Sequence, residues 1–122
     1  MAKSILIVDD SASIRQVVGM TLKGAGYDVL EACDGQDALA KLDNRKIHLV
    51  ISDVNMPNMD GIAFVKALKA QPANKFTPVI MLTTEAGADK QQAARLAGAK
   101  AWVIKPFQPA QMLDAVSKLV LP

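Results

Sequence analysis

The stretch that decides the fold is KSILIVDDSASIRQVVGMTLKGAG, residues 3–26. A short apolar run at 5–8 ends abruptly in Asp9 and Asp10, and from 14 to 22 the apolar residues recur at helical spacing. The short run is typical of a buried strand, and the later spacing is typical of an amphipathic helix. This stretch therefore predicts one strand followed by one helix.

The same alternation of an apolar run and a helical segment occurs five times along the chain. Several of the runs are continuously apolar, as expected of parallel strands that helices cover on both faces. The pattern predicts an α/β fold, a (βα)5 doubly wound parallel sheet. The predicted strands lie at 3–8, 27–32, 48–52, 78–83 and 101–105.

Turn and capping residues mark where the helices begin and end. Gly24 or Gly26 can end the first helix because glycine adopts a positive φ without strain. Asp34 and Asp60 stand at the N-caps of the second and third helices, and Pro109 suits the first turn of the last one.

The fourth helix, predicted at 88–97, differs from the others in composition. Leu96 is its single large apolar residue, among alanines and glutamines. Burial therefore contributes little free energy to its packing, and we expect it to shift more easily than the other helices.

Length and composition restrict the class of protein. With 122 residues, we expect a single domain over 1–122 and no effector domain. Apolar residues at 51% and charged residues at 21% exclude a disordered or fibrous chain. The net charge of +2 without a dense basic run argues against nucleic acid as a partner. No apolar run approaches the length of a secretory signal or membrane span, so we expect a cytoplasmic protein that binds no membrane.

Cys33 is the single cysteine of the chain. One cysteine cannot form an internal disulfide, and unpaired cysteines are often buried as small hydrophobes. We therefore predict that Cys33 is buried and has no catalytic role.

Acidic, hydroxyl or amine side chains lie at the carboxyl ends of four of the five predicted strands. Asp9 and Asp10 follow the first strand, Asp53 follows the third, the fourth ends at Thr83 and the fifth ends at Lys105. Because the carboxyl ends of parallel strands share one edge of the sheet, we expect these side chains to meet there.

Three aspartates at one edge predict a metal site. Two carboxylates about 4 Å apart repel by about 4 kcal/mol at an effective dielectric near 20, so the cluster takes up protons or binds a cation. All-oxygen ligands suit Mg²⁺, with Mn²⁺ as a second candidate. Asp9, Asp10 and Asp53 are the candidate ligands.

A phosphoryl group is the substrate that this site favours. A carboxylate can attack phosphorus to give an aspartyl phosphate, while a metal and Lys105 neutralise the charge, and we choose Asp53 as the nucleophile. The reaction removes one negative charge and adds about two. The hydroxyl of Thr83 and nearby backbone N–H groups can meet the excess, which would draw the following loop inward and disturb the fourth helix.

Four motifs lie at the carboxyl ends of the predicted strands: ILIVDD at 5–10, SDVNMPNMDG at 52–61, TTEA at 83–86 and KPF at 105–107. Together they resemble the receiver domains of bacterial two-component response regulators, and among these the single-domain receivers of chemotaxis. The resemblance extends over 3–121. It implies a flavodoxin-like sheet with the strand order 2-1-3-4-5.

The resemblance also implies how the acidic residues act. Asp53 would accept a phosphoryl group from the phosphohistidine of a sensor histidine kinase. Asp10, Asp53 and the main-chain carbonyl of Asn55 would hold Mg²⁺, and Asp9 would act through water. The domain would hydrolyse its own acyl phosphate, at a rate tuned by Asn55 and Glu85.

The resemblance also implies roles for Thr83, Lys105, Pro106 and Trp102. Thr83 and Lys105 would contact the phosphoryl oxygens, and the peptide bond between Lys105 and Pro106 would be cis. Trp102 stands where the family usually has Tyr or Phe, the aromatic residue that turns inward as the threonine moves. Our hypothesis is that Trp102 is this switch residue, and the alternative is that it is simply packed.

The resemblance implies a monomeric phosphorylation switch rather than an enzyme acting on external substrates. A CheA-like sensor histidine kinase would be the phosphodonor, and the fourth helix, fifth strand and fifth helix would bind the target. The flagellar motor switch is one candidate target, and a kinase-tuning adaptor or phosphate sink fits equally well.

Three other functions fit the residues less well. A Mg²⁺-dependent phosphatase with an aspartyl nucleophile needs a general acid where this chain has Asn55. A flavin-binding module needs neutral donors where Asp9 and Asp10 would repel the phosphate. An unphosphorylated interaction module would have no need of the complete set of site residues.

Overall fold

The computed structural model describes residues 3–43, 45–84 and 87–120. Strands and helices alternate along the chain. They are β1 (Ser4–Val8), α1 (Ala12–Gly24), β2 (Asp28–Ala32), α2 (Gly35–Leu42), β3 (Leu49–Ser52), α3 (Gly61–Ala70), β4 (Val79–Thr83), α4 (Ala88–Ala97), β5 (Ala101–Ile104) and α5 (Pro109–Leu119), with a short 3₁₀ helix at Pro72–Asn74. None of the helices in these ranges has the length and apolarity that crossing a bilayer requires.

The five strands form one parallel sheet in the order β2-β1-β3-β4-β5. The predicted (βα)5 architecture and strand order are confirmed, and each strand is one residue shorter than predicted. The direction of the strand order reverses between β1 and β3, and ligands of such sheets bind at the carboxyl edge beside that reversal.

Successive residues of a strand point to opposite faces, which gives the sheet two apolar layers. On one face, Leu6 and Val8 pack with residues of α2, α3 and α4. On the other face, Ile5 and Ile7 pack with residues of α1 and α5. Burial of each large apolar side chain contributes about 1.5–3 kcal/mol. A continuous apolar run supplies such side chains to both faces, and burial on both faces stabilises the sheet.

The helix termini agree with the predicted signals. The side chains of Asp34 and Asp60 cap α2 and α3 by accepting backbone N–H groups, and Ser11 caps α1 in the same way. The first helix ends at Gly24, and Gly26 adopts a φ of 96°.

The structure confirms the weak packing of α4. Ala94 is the one buried side chain among those that the structure describes in this helix, and Leu96 is 80% exposed. The helix therefore contributes little apolar area to the core and presents its large apolar residue to solvent.

The predicted burial of Cys33 is wrong, because the residue is exposed. The reason is its place in the sheet. The strand β2 lies at an edge, and Cys33 follows its last residue, Ala32, in the turn that leads to α2. At this position beyond the end of an edge strand, the thiol reaches solvent.

Candidate functional site

The three predicted acidic residues meet at the carboxyl edge of the sheet. Val8 and Ser52 are neighbours in the pairing of β1 with β3, so the residues that follow them are brought together. One carboxylate oxygen from each of Asp9, Asp10 and Asp53 lies within 4.8 Å of the others. Asp9 and Asp53 are 2% and 7% exposed, whereas Asp10 is exposed, so the cluster opens to solvent on one side.

Lys105 directly follows the edge strand β5, and its side chain faces two of these carboxylates. Its Nζ lies 2.8 Å from Oδ2 of Asp9 and 3.3 Å from Oδ2 of Asp53. Burial acts to lower the pKa of Lys105, but the hydrogen bond and charge of Asp9, together with Asp53, outweigh it and raise the pKa above the usual lysine value. The side chain is therefore an ammonium at neutral pH.

The carboxylate of Asp53 is held by the chain that follows it. Its Oδ1 accepts the backbone N–H of Val54 at 2.7 Å and that of Asn55 at 3.4 Å, while Oδ2 faces Lys105. The Asp53 N–H itself donates to the carbonyl of Val8 at 2.9 Å. Asn55 is exposed beside this carboxylate, and the role of its carbonyl as a metal ligand stays a prediction.

Sequence reasoning missed the residues that position Asp9. The backbone N–H of Ser11 donates to Asp9 Oδ1 at 2.9 Å, and Arg15 Nη1 donates to the Asp9 carbonyl at 2.6 Å. Arg15 also forms an ion pair with Glu31 at 3.3 Å. The position of Arg15 one helical turn after Ser11 was the available signal, since it places the guanidinium near the end of β1.

Sequence reasoning also assigned no specific task to Gly61. A Cβ built on Gly61 would lie 1.9 Å from the carbonyl oxygen of Asp53, closer than atoms can approach. The Gly61 N–H donates to the carbonyl of Val54 at 2.7 Å. Only glycine therefore permits α3 to begin this close to the phosphoacceptor candidate.

The remaining predicted residues are placed as follows. Thr83 is buried at the end of β4, and its carbonyl accepts the Lys105 N–H at 2.8 Å. The predicted cis peptide bond between Lys105 and Pro106 is confirmed. Trp102 is half-buried on β5 and packs against the same apolar cluster as α4, and its role as a switch stays a prediction. Glu85 lies outside the described residues.

Comparison with known proteins identifies the family. The family model described as the response regulator receiver domain matches residues 5–117, and the chain belongs to this family. The chemotaxis protein CheY1 of Helicobacter pylori is 42% identical over 119 residues, which cover 96% of this chain and 95% of that protein. Protein PilG of Pseudomonas aeruginosa is 36% identical over 112 residues, which cover 92% of this chain and 83% of that protein.

A solved structure supports the same conclusion. The chemotaxis protein CheY4 of Vibrio cholerae superposes with a TM-score of 0.93 at 47% identity, covering 98% of this chain and 99% of that one. The chain is thus a receiver domain with the fold of CheY-type response regulators, and its relatives include proteins named for chemotaxis.

Proposed function

We propose that this chain is a single-domain response regulator whose Asp53 accepts a phosphoryl group from a sensor histidine kinase. One observation carries the proposal. Three carboxylates lie within 4.8 Å of one another, and the half-buried ammonium of Lys105 faces two of them. Such a cluster favours a divalent cation and an incoming phosphoryl group over a purely structural role.

The donor atoms fit a magnesium ion. Carboxylate oxygens of Asp9, Asp10 and Asp53 would hold it directly or through water, with the carbonyl of Asn55 as a further ligand, and Mn²⁺ has the same preference for oxygen. When bound, the ion would neutralise charge on the phosphoryl oxygens. Receiver domains bind Mg²⁺ at an acidic pocket of this kind, which supports the assignment.

The chain's own residues supply the nucleophile and a fixed positive charge. A carboxylate oxygen of Asp53 attacks phosphorus, and the new O–P bond forms as the N–P bond of the donor phosphohistidine breaks. The imidazole leaves with the electron pair and takes up a proton. Lys105, beside Oδ2 of Asp53, stabilises the transferred group, with Thr83 as a second donor. Water later hydrolyses the acyl phosphate and restores the carboxylate, so no external substrate is turned over.

The output of this switch would be the surface formed by α4, β5 and α5. The exposed Leu96, the weak packing of α4 and the half-buried Trp102 at its side support this choice. The relatives named for chemotaxis support a role in chemotaxis. The proposal adds that the protein is cytoplasmic and monomeric and that a CheA-like kinase is its donor. The flagellar motor switch is one candidate target, and a phosphate-sink or adaptor role would use the same site.

Acetyl phosphate labelling tests the proposed function. With Mg²⁺, we expect about one phosphoryl group per chain by intact-protein mass spectrometry, and none after Asp53→Asn or chelation. Asp60→Asn is the matched control, because it changes a carboxylate of the same loop outside the cluster and keeps a capping side chain. Labelling that persists in Asp53→Asn would refute the proposal. Turnover of a phosphate ester beyond one equivalent would support the phosphatase alternative instead.

A further inference from the structure

The loop between β3 and α3 contains a strained turn at Asn58. This residue has a φ of 68°, in the left-handed region that side chains other than glycine rarely adopt. The Met59 N–H donates to the carbonyl of Pro57 at 2.7 Å, which closes a three-residue γ-turn around Asn58. Such a conformation persists only where the surrounding structure holds it. Other contacts must therefore hold Asn58 in this conformation.

The side chain of Asn58 is anchored outside its own loop. Its Nδ2 donates to Oδ2 of Asp34 at 2.8 Å, while Oδ1 of Asp34 accepts the backbone N–H of Asp37 at 2.8 Å and so caps α2. The Asp37 N–H and then the Asn58 amide lower the pKa of Asp34, which keeps it a carboxylate at neutral pH. Hydrogen bonds to a charged acceptor are stronger than those between neutral groups.

A second contact joins the loop to the same end of α2. A Cβ built on Gly35 would lie 2.9 Å from both Cγ and Sδ of Met59, so the loop lies against the first residue of the helix. At the base of the loop, the hydrogen bond from Gly61 to Val54 brings its two ends together. The segment from Asp53 to Gly61 is thus held at its base and at its apex, with the chain around Asn55 between the two.

We propose that Asn58 is a positioning residue for the metal-dependent chemistry of Asp53, acting through its hydrogen bond to Asp34. The inference rests on the proposed function. Asn58 holds the loop in one conformation, so that the main chain around Asn55 is fixed before a metal ion arrives. Without this hydrogen bond, the loop must be ordered when the ion binds, and that loss of conformational entropy weakens binding.

Two substitutions remove the hydrogen bond from opposite sides. Asn58→Gly removes the donor and still accommodates a positive φ, so the turn itself carries no new strain. Asp34→Ser removes the carboxylate acceptor and keeps a capping side chain for α2. Gln36→Ala is the matched control, because it alters an exposed side chain in the same turn of α2.

Calorimetric titration of the metal-free protein with Mg²⁺ is the decisive measurement. We expect each single variant to raise the Kd about tenfold, the effect typical of residues that support metal ligands. The double variant should bind no more than about twofold more weakly than either single variant, because both remove the same interaction. The control should bind as the wild type does. Acetyl phosphate labelling at saturating Mg²⁺ should keep its wild-type rate.

Each contrary result has a distinct meaning. A wild-type protein that takes up no Mg²⁺ refutes the proposed function, and this inference with it. If the wild type binds Mg²⁺ and Asn58→Gly binds it equally well, the inference alone is overturned. It is also overturned if the effects of the two substitutions multiply in the double variant, or if the labelling rate at saturating Mg²⁺ falls with the Kd unchanged.

Discussion

Replacement of Lys105 by methionine tests the electrostatic balance of the site. The substitution keeps much of the side chain's apolar stem and removes the ammonium that faces Asp9 and Asp53 at 2.8 and 3.3 Å. At an effective dielectric near 20, these separations correspond to attractions of about 6 and about 5 kcal/mol. Desolvation offsets much of this, and removal of one partner of a buried pair costs about 3–5 kcal/mol.

We expect the lower end of that range for Lys105→Met. The side chain of Lys105 is 13% exposed, so water screens part of its attraction to the two carboxylates. The expected loss in the metal-free protein at pH 7 is about 3 kcal/mol of the free energy of unfolding, or a Tm lower by roughly 10 °C. Urea unfolding followed by circular dichroism measures this loss directly.

Lys118→Met provides the matched control for this measurement. Lys118 pairs with Asp114 at 3.0 Å on the surface of α5, where its side chain is 72% exposed. Exposed pairs of this kind contribute about 0.3–0.5 kcal/mol. The reasoning is refuted if Lys105→Met destabilises the protein no more than Lys118→Met does.

The stability difference between wild type and Lys105→Met should depend on pH, because the pKa of Lys105 is raised. A lysine with a higher pKa in the folded state contributes its full stabilisation below the unfolded-state pKa, about 10.4. The contribution is lost as pH rises through the folded-state value. The stability difference between wild type and Lys105→Met should therefore shrink above the ordinary lysine pKa, and a difference that grows there would contradict this assignment.

Two further predictions concern the loop after β3 and the proposed switch. Gly61→Ala should destabilise the protein by about 3 kcal/mol or more in urea unfolding, because the new Cβ meets the Asp53 carbonyl at 1.9 Å. Gly24→Ala should not lower the free energy of unfolding, because a Cβ there meets nothing within 4 Å. Equal effects at the two glycines would contradict the packing argument. Beryllofluoride with Mg²⁺ should shift the fluorescence of Trp102, the single tryptophan, and an unchanged spectrum would argue against its role as the switch.

Most of the fold could be predicted from local patterns in the sequence. Apolar runs such as 5–8 and helical spacing such as 14–22 depend on residues close together in the chain, and their period directly reflects which side chains are buried. Caps such as Asp34 and Asp60 are equally local. The parallel arrangement then brings the residues at the strand ends to one edge, which is why the acidic cluster could be predicted.

Other contacts could not be predicted because they join distant segments whose separation depends on packing. The hydrogen bond from Asn58 to Asp34 joins the loop before α3 to the residue before α2. The hydrogen bond that Arg15 donates to the Asp9 carbonyl depends on the angle at which α1 packs on the sheet. The exposure of Cys33 depends on the place of β2 at the edge of the sheet.

The sequence by itself determined the order of strands and helices, the apolar faces and the presence of acids and a lysine after the strands. Only the tertiary structure decided that Lys105 contacts Asp9 more closely than Asp53, and that Gly61 has no room for a side chain. The physical reason is range. Periodicity and capping act within a few residues, whereas these distances result from the close packing of elements far apart in the chain.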